Sequence, residues 1–265
     1  MATLVTMQIC KRTMISTVFG SLPFPNQGGD RVVSKVVTAA ISALFKKSEQ
    51  LAVNVRAEPV AKLLQGSVDG FDFLGKGLLM HSGLRVESME LYVQAVAIDF
   101  GAIFSGQVKL KQPIQASMRV ALSETDLTDS FNTPFLTEKL KTIRHEGQPL
   151  TFRDTVFKIN PDRSIQLVSQ IHVGDRPNPT PVDITAQMEV ENRKRIRFTE
   201  VTCAGDAASV ELGTALVDYL NNLLDLDQFA LDGMQIRVDQ LRLRNQQMML
   251  YGVAHIEHFP NRKGQ

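Results

Sequence analysis

An α+β protein is predicted, with a long curved antiparallel sheet wrapped around amphipathic helices in an elongated body. Three features of the 265-residue sequence carry that expectation. Runs of about ten residues alternate apolar and polar side chains, which gives each strand one apolar face, as in antiparallel sheet covered on one side. Between them lie apolar stripes of helical period. Glycines inside the strand-like stretch 67–100, at 70, 75, 77 and 83, suggest bulges or sharp curvature. Ten residues at about 3.3 Å each span roughly 33 Å, so strands of this length favour elongation over a sphere.

The elements follow in order. Residues 1–28 read as a flexible N-terminal arm that ends in Pro23-Phe24-Pro25-Asn26-Gln27-Gly28-Gly29. Asp30 is placed to cap a helix, since its carboxylate can accept from first-turn N–H groups. Val33, Val36, Val37, Ala40, Ile41, Leu44 and Phe45 then follow at helical spacing. The period changes to two at Leu51, Val53 and Val55, a strand. Glu58-Pro59 opens a short helix carrying Val60, Leu63 and Leu64, and Gly66 ends it. Ile114, Ala116, Met118, Val120 and Leu122 take one face of the next clear strand. Ile165, Leu167, Ile171 and Val173 repeat the pattern, as do Val182, Ile184, Ala186, Met188 and Val190. A helix is expected over 124–143, bent at Pro134, and another over 207–226, capped by Asp206 and striped by Leu212, Leu216, Tyr219, Leu220 and Leu223. Strands resume over 234–243 and 248–256, and 261–265 form a frayed tail. Residues 29–260 thus make a single elongated domain. Leu84-Arg85-Val86 through Leu91 echoes Ile236-Arg237-Val238 through Leu243, so two similar halves are an open possibility.

Composition narrows the function. Hydrophobic residues at 43% and charged residues at 22% belong to an ordinary folded chain. Twenty-nine basic against 28 acidic side chains leave a charge of +1, so nucleic acid is not an expected partner. Fourteen Phe, three Tyr, ten Met and no Trp make the apolar surface phenyl, thioether and aliphatic, suited to a filled core or to a cavity for apolar ligands. Cys10 and Cys203 are too few for a disulfide scaffold or a four-cysteine zinc site, and a reducing compartment is the simpler expectation. No stretch reads as a membrane span or a signal peptide, so the expected location is cytoplasmic and any membrane contact peripheral.

The search for chemistry finds no nucleophile elbow, phosphate loop or paired-histidine helix. Gly75-Lys76-Gly77 begins like a dinucleotide fingerprint, but Met80 stands where the third glycine belongs. Glu124, Asp126 and Asp129 are a candidate carboxylate cluster, better explained as helix-start acids. No catalytic residue, metal or cofactor is assigned, bound lipid aside, and the chain is not expected to be an enzyme. Arg193, Lys194, Arg195 and Arg197 surround an expected hairpin. They form either a solvated turn or a patch for phosphate headgroups, to which each cation contributes about 1 kcal/mol near an anionic membrane.

The stretch 51–127 carries a family resemblance. It includes Leu51-Ala52-Val53-Asn54-Val55, Leu63-Leu64-Gln65-Gly66, Phe71-Asp72-Phe73-Leu74-Gly75-Lys76-Gly77, Leu84-Arg85-Val86 and Ser123-Glu124-Thr125-Asp126-Leu127. These residues resemble the LmeA-like phospholipid-binding family, and the missing export signal resembles its non-exported branch in photosynthetic bacteria. The resemblance implies a fold similar to tubular lipid-binding proteins, with an apolar groove for acyl chains, and it transfers no catalytic residue. A diacyl lipid carries about 30 methylenes, and at ~0.8 kcal/mol each its removal from a bilayer costs roughly 24 kcal/mol. Only a long continuous apolar channel could offset that.

The expected function is therefore non-enzymatic binding of phospholipid or glycolipid acyl chains, for lipid transfer or membrane maintenance, at a peripheral membrane surface. Val33, Val37, Ala40, Ile41 and Leu44 are expected to face the groove. Met118, Val120, Ile184, Met188, Leu216 and Leu220 line its walls, with Arg193, Lys194, Arg195 and Arg197 near headgroups. Bulky substitution of Ala40 or Ala186 is expected to reduce lipid binding. The alternative is a scaffold or assembly factor that binds a protein partner and has no lipid cavity. The same apolar faces could close as a filled core.

Overall fold

The computed structural model describes residues 38–258 apart from 40, 58–61, 63–64, 100, 103–106, 141 and 229–232. The N-terminal arm, Val33, Val37 and Ala40, the short helix from Glu58 to Leu64 apart from Lys62, Cys10 and the tail lie outside the described residues. Residues 38–39 and 41–42 are helical and run into a turn. Phe45, expected to be helical, instead opens a strand.

Twelve strands and three helices are described. The strands β1 (Phe45–Lys47), β2 (Gln50–Arg56), β3 (Ser67–Met80), β4 (Arg85–Ala97) and β5 (Ile114–Ser123) precede helices α1 (Glu124–Phe131) and α2 (Pro134–Leu140). Then come β6 (Arg144–His145), β7 (Gln148–Ile159), β8 (Ile165–Val173), β9 (Thr180–Glu191) and β10 (Arg195–Ala204). Helix α3 (Ala207–Leu223) leads to β11 (Met234–Arg244) and β12 (Gln247–Ile256). The class is α+β.

Two open antiparallel sheets carry the fold. The larger runs β1-β3-β4-β5-β12-β11, with β2 paired to the same edge of β3 as β1, and the smaller runs β10-β9-β8-β7-β6. Neither closes into a barrel. At about 3.3 Å per residue the 14 residues of β3 reach roughly 46 Å. The expected bulges in β3 do not interrupt its pairing with β4, which keeps one register from Ser67↔Ala97 to Leu79↔Arg85. Gly77 and Gly83 take positive φ, 55° and 90°, while Gly70 and Gly75 serve clearance. A Cβ on Gly75 would sit 2.8 Å from Leu78 Cδ2, and one on Gly70 would run into the Arg56 guanidinium.

The helix expected over 124–143 is two helices, broken at Asn132-Thr133. Ser123 and Asp126 form a reciprocal capping box at the start of α1, and the Glu124 carboxylate accepts from the Ile159 N–H at 2.6 Å, which gives these two acids structural roles. Pro134 opens α2, a position that needs no N–H. Helix α1 bridges the sheets. The Thr128 hydroxyl accepts from the Phe157 N–H at 3.0 Å on β7, and the Ser130 hydroxyl accepts from the Arg85 N–H at 3.3 Å on β4. On the other side the β9–β10 turn is clamped to the larger sheet, where the Val238 N–H donates to Arg193 O at 2.6 Å, and to the segment after α3, where the Leu226 N–H donates to Lys194 O at 2.7 Å. Helix α3 lies along β9 and β10, capped by Asp206, whose carboxylate accepts from the Ser209 N–H at 2.8 Å.

Candidate functional site

An apolar cavity of about 280 Å³ occupies the junction of the two sheets. Alternation along each strand decides what enters it. Phe71 and Phe73 of β3, Leu91 and Val93 of β4, Met118 and Val120 of β5, and Leu250 and Ala254 of β12 all point inward from the larger sheet. The smaller sheet contributes Phe157, Met188, Ile196 and Phe198. The helices add Leu127 and Phe131 from α1, Leu136 from α2, and Leu220 and Leu223 from α3. Paired rings stiffen two walls, Phe45 stacking on Phe73 at 6.2 Å and Phe131 on Phe157 at 5.9 Å. Of the 34 described residues lining the cavity, only Arg85 and Ser130 carry polar side chains. A surface of this kind can hold hydrocarbon and has almost nothing to offer a polar solute.

Of the residues expected to line a groove, Ile41, Leu44, Met118, Val120, Met188 and Leu220 come together on this one cavity. Ile184 and Leu216 do not reach it. They are packed at 1% and 2% exposure between β9 and α3, in closed core. Ala186 is likewise buried away from the lining. Sequence reasoning passed over the six phenylalanines and four further methionines on the walls, among them Phe71, Phe131, Phe198, Met80 and Met248. The available signal was composition, since six of the chain's ten methionines line this cavity.

Arg85 marks a mouth, because it lines the cavity while its side chain stays 45% exposed. Its Nε lies 3.5 Å from carboxylate oxygens of both Asp126 and Asp129. Ser130, buried beside it, completes the polar edge.

Three of the four cations of the basic hairpin are paired with carboxylates. Arg193 pairs with Asp239 at 2.7 Å, Arg195 with Asp225 at 3.4 Å and Arg197 with Glu191 at 2.7 Å. Two of these carboxylates belong to segments after α3, so the cations help fasten the hairpin to its surroundings. Among the described residues no cluster of three or more metal-ligating side chains occurs, and no helix is long and apolar enough to cross a membrane.

Two open antiparallel sheets meeting over a continuous hydrocarbon-lined cavity define a protein built around an apolar interior space. The chain belongs to the LmeA-like phospholipid-binding family, whose model matches residues 25–253. That membership supports lipid binding in general. No curated protein and no solved structure matches the chain.

Proposed function

We propose that the protein is a non-enzymatic carrier that holds the acyl chains of a phospholipid or glycolipid in the inter-sheet cavity and exchanges them with a membrane surface. The observation that carries this reading is the lining, which draws on both sheets and all three helices yet contains two polar side chains. Family membership supports the same class of ligand. A volume of about 280 Å³ lies just below the usual range of roughly 300–1,000 Å³ for small-molecule sites. The walls are suited to widening, because Met80, Met89, Met118, Met188, Met234 and Met248 are unbranched and adapt to irregular occupants.

The test is gentle purification followed by native mass spectrometry of the intact protein and mass spectrometry of its organic extract. The expected result is lipid at a defined stoichiometry, lost on delipidation and regained from vesicles. A lipid-free protein that also takes nothing from vesicles would sink the reading and favour a scaffold that binds a protein partner.

A further inference from the structure

We infer that the Arg85 mouth selects lipids whose headgroup carries no net negative charge. The inference rests on the cavity being a lipid site and specifies which lipid enters it. Arg85 is the one cation among the described lining residues, so it is where a headgroup phosphate would be expected to dock. That cation is already engaged. Asp126 Oδ1 and Asp129 Oδ2 both stand 3.5 Å from its Nε, and one arginine against two carboxylates leaves the mouth with a net charge of −1.

The helix supplies no balancing cation. Asp129 and Ser130 lie in the last turn of α1, where no basic residue stands and the carbonyls of Thr128, Asp129 and Ser130 are capped by Asn132 and Thr133. An anionic headgroup at Arg85 would therefore face two carboxylates. A zwitterionic headgroup avoids the conflict, with its phosphate on the guanidinium and its ammonium on the half-exposed Asp129. An uncharged polyhydroxyl headgroup also fits, because its hydroxyls can donate to the carboxylates and accept from Arg85. The shared chemistry is a polar headgroup without net negative charge.

The experiment loads delipidated full-length protein from vesicles of phosphatidylcholine, of a glycosyl diacylglycerol and of phosphatidylglycerol with matched acyl chains, quantified by native mass spectrometry. Phosphatidylglycerol is expected to load about tenfold less than the better of the other two, a difference of ~1.4 kcal/mol. The two net-neutral vesicles separate the zwitterionic from the uncharged case. Asp129→Asn neutralises the mouth and should raise phosphatidylglycerol loading severalfold. Asp175→Asn makes the same change of total charge at an exposed turn and should leave loading unchanged. Circular dichroism establishes that both variants fold. Phosphatidylglycerol loading as well as the others, or the two variants shifting it equally, would overturn the selection at the mouth while leaving the cavity's role intact. A protein that loads from no vesicle overturns the carrier reading itself, and this inference with it.

Discussion

Tyr92, Glu90 and Arg119 show what the outer face of the larger sheet does while the inner face lines the cavity. Leu91 and Val93 point inward, so Glu90 and Tyr92 point outward, next to Asp72 and Arg119 on the neighbouring strands. Glu90 is only 6% exposed and Asp72 8%, yet each carboxylate has partners. Tyr92 Oη donates to Glu90 at 3.0 Å, Arg119 reaches Glu90 at 3.4 Å, and Arg56 pairs with Asp72. Burial, then the hydrogen bond to Glu90 and the negative charge there, push the Tyr92 phenol above its ordinary value. A raised phenol binds its proton more tightly in the folded than in the unfolded chain. Stability from this group is therefore complete below about pH 10 and lost as pH rises through the folded value. Phenolate absorbance of the wild type, with Tyr92→Phe as reference, should place the Tyr92 step above that of free tyrosine, and Glu90→Gln should bring it down. A Tyr92 step at the ordinary value would show the network to be open to water. None of this was legible in the alternation, which marks an outward residue as polar and is silent on whether a partner buries it. The same gap explains the basic hairpin. Arg193, Lys194, Arg195 and Arg197 are adjacent in sequence, but Asp225 and Asp239 reach them only through the fold.

At the scale of an element, α3 is held against β9 and β10 by a missing side chain. Gly213 stands in the middle of the helix, where glycine costs about 1 kcal/mol relative to alanine. A Cβ there would lie 2.9 Å from Cys203 Sγ and 3.2 Å from Val182 Cγ1. The helix thus approaches the sheet at the one position that lets it. Gly213→Ala should destabilise the protein despite its better propensity, by about 1 kcal/mol net, and pairing it with Cys203→Ala should restore much of the loss. Urea unfolding of the two variants decides the matter, and a stabilised single variant would mean the contact is loose. Elements were otherwise legible where their period was unbroken, as in β5, β8, β9 and α3. Strand β7 was not, and its burial shows why. Leu150 and Phe152 point inward at even positions, whereas Thr155, Phe157 and Ile159 do so at odd ones. Asp154, with φ at 51°, sits in the register shift between Arg153 and Val156 and turns the strand over. A bulge of this kind cancels the very alternation by which a strand is recognised.

For the molecule as a whole, a filled core and a cavity use the same inward-facing residues, and periodicity cannot tell them apart. The distinction depends on how far apart the sheets stand at each level, where α1 and the β9–β10 clamp bridge them. Ile184 and Leu216 lie in closed packing, while Met188 and Leu220, from the same strand and helix, line the cavity with Met118 of the larger sheet. Ala116 and Ala254 test that difference directly. They are cross-strand partners on β5 and β12 and face the same side, yet only Ala254 lines the cavity, while Ala116 is 0% exposed in solid packing. Ala116→Phe forces a ring into occupied space and should cost about 1–3 kcal/mol or more. Ala254→Phe places the same ring in the void, so its unfolding midpoint should stay close to that of the wild type while lipid loading from vesicles falls severalfold. Equal destabilisation by the two substitutions would mean that no usable space exists beside Ala254. A stable Ala254→Phe protein that loads lipid normally would move the acyl chains to another part of the cavity. Only the combination of retained stability and lost loading assigns the void beside Ala254 to the ligand, since each result alone has a purely structural explanation.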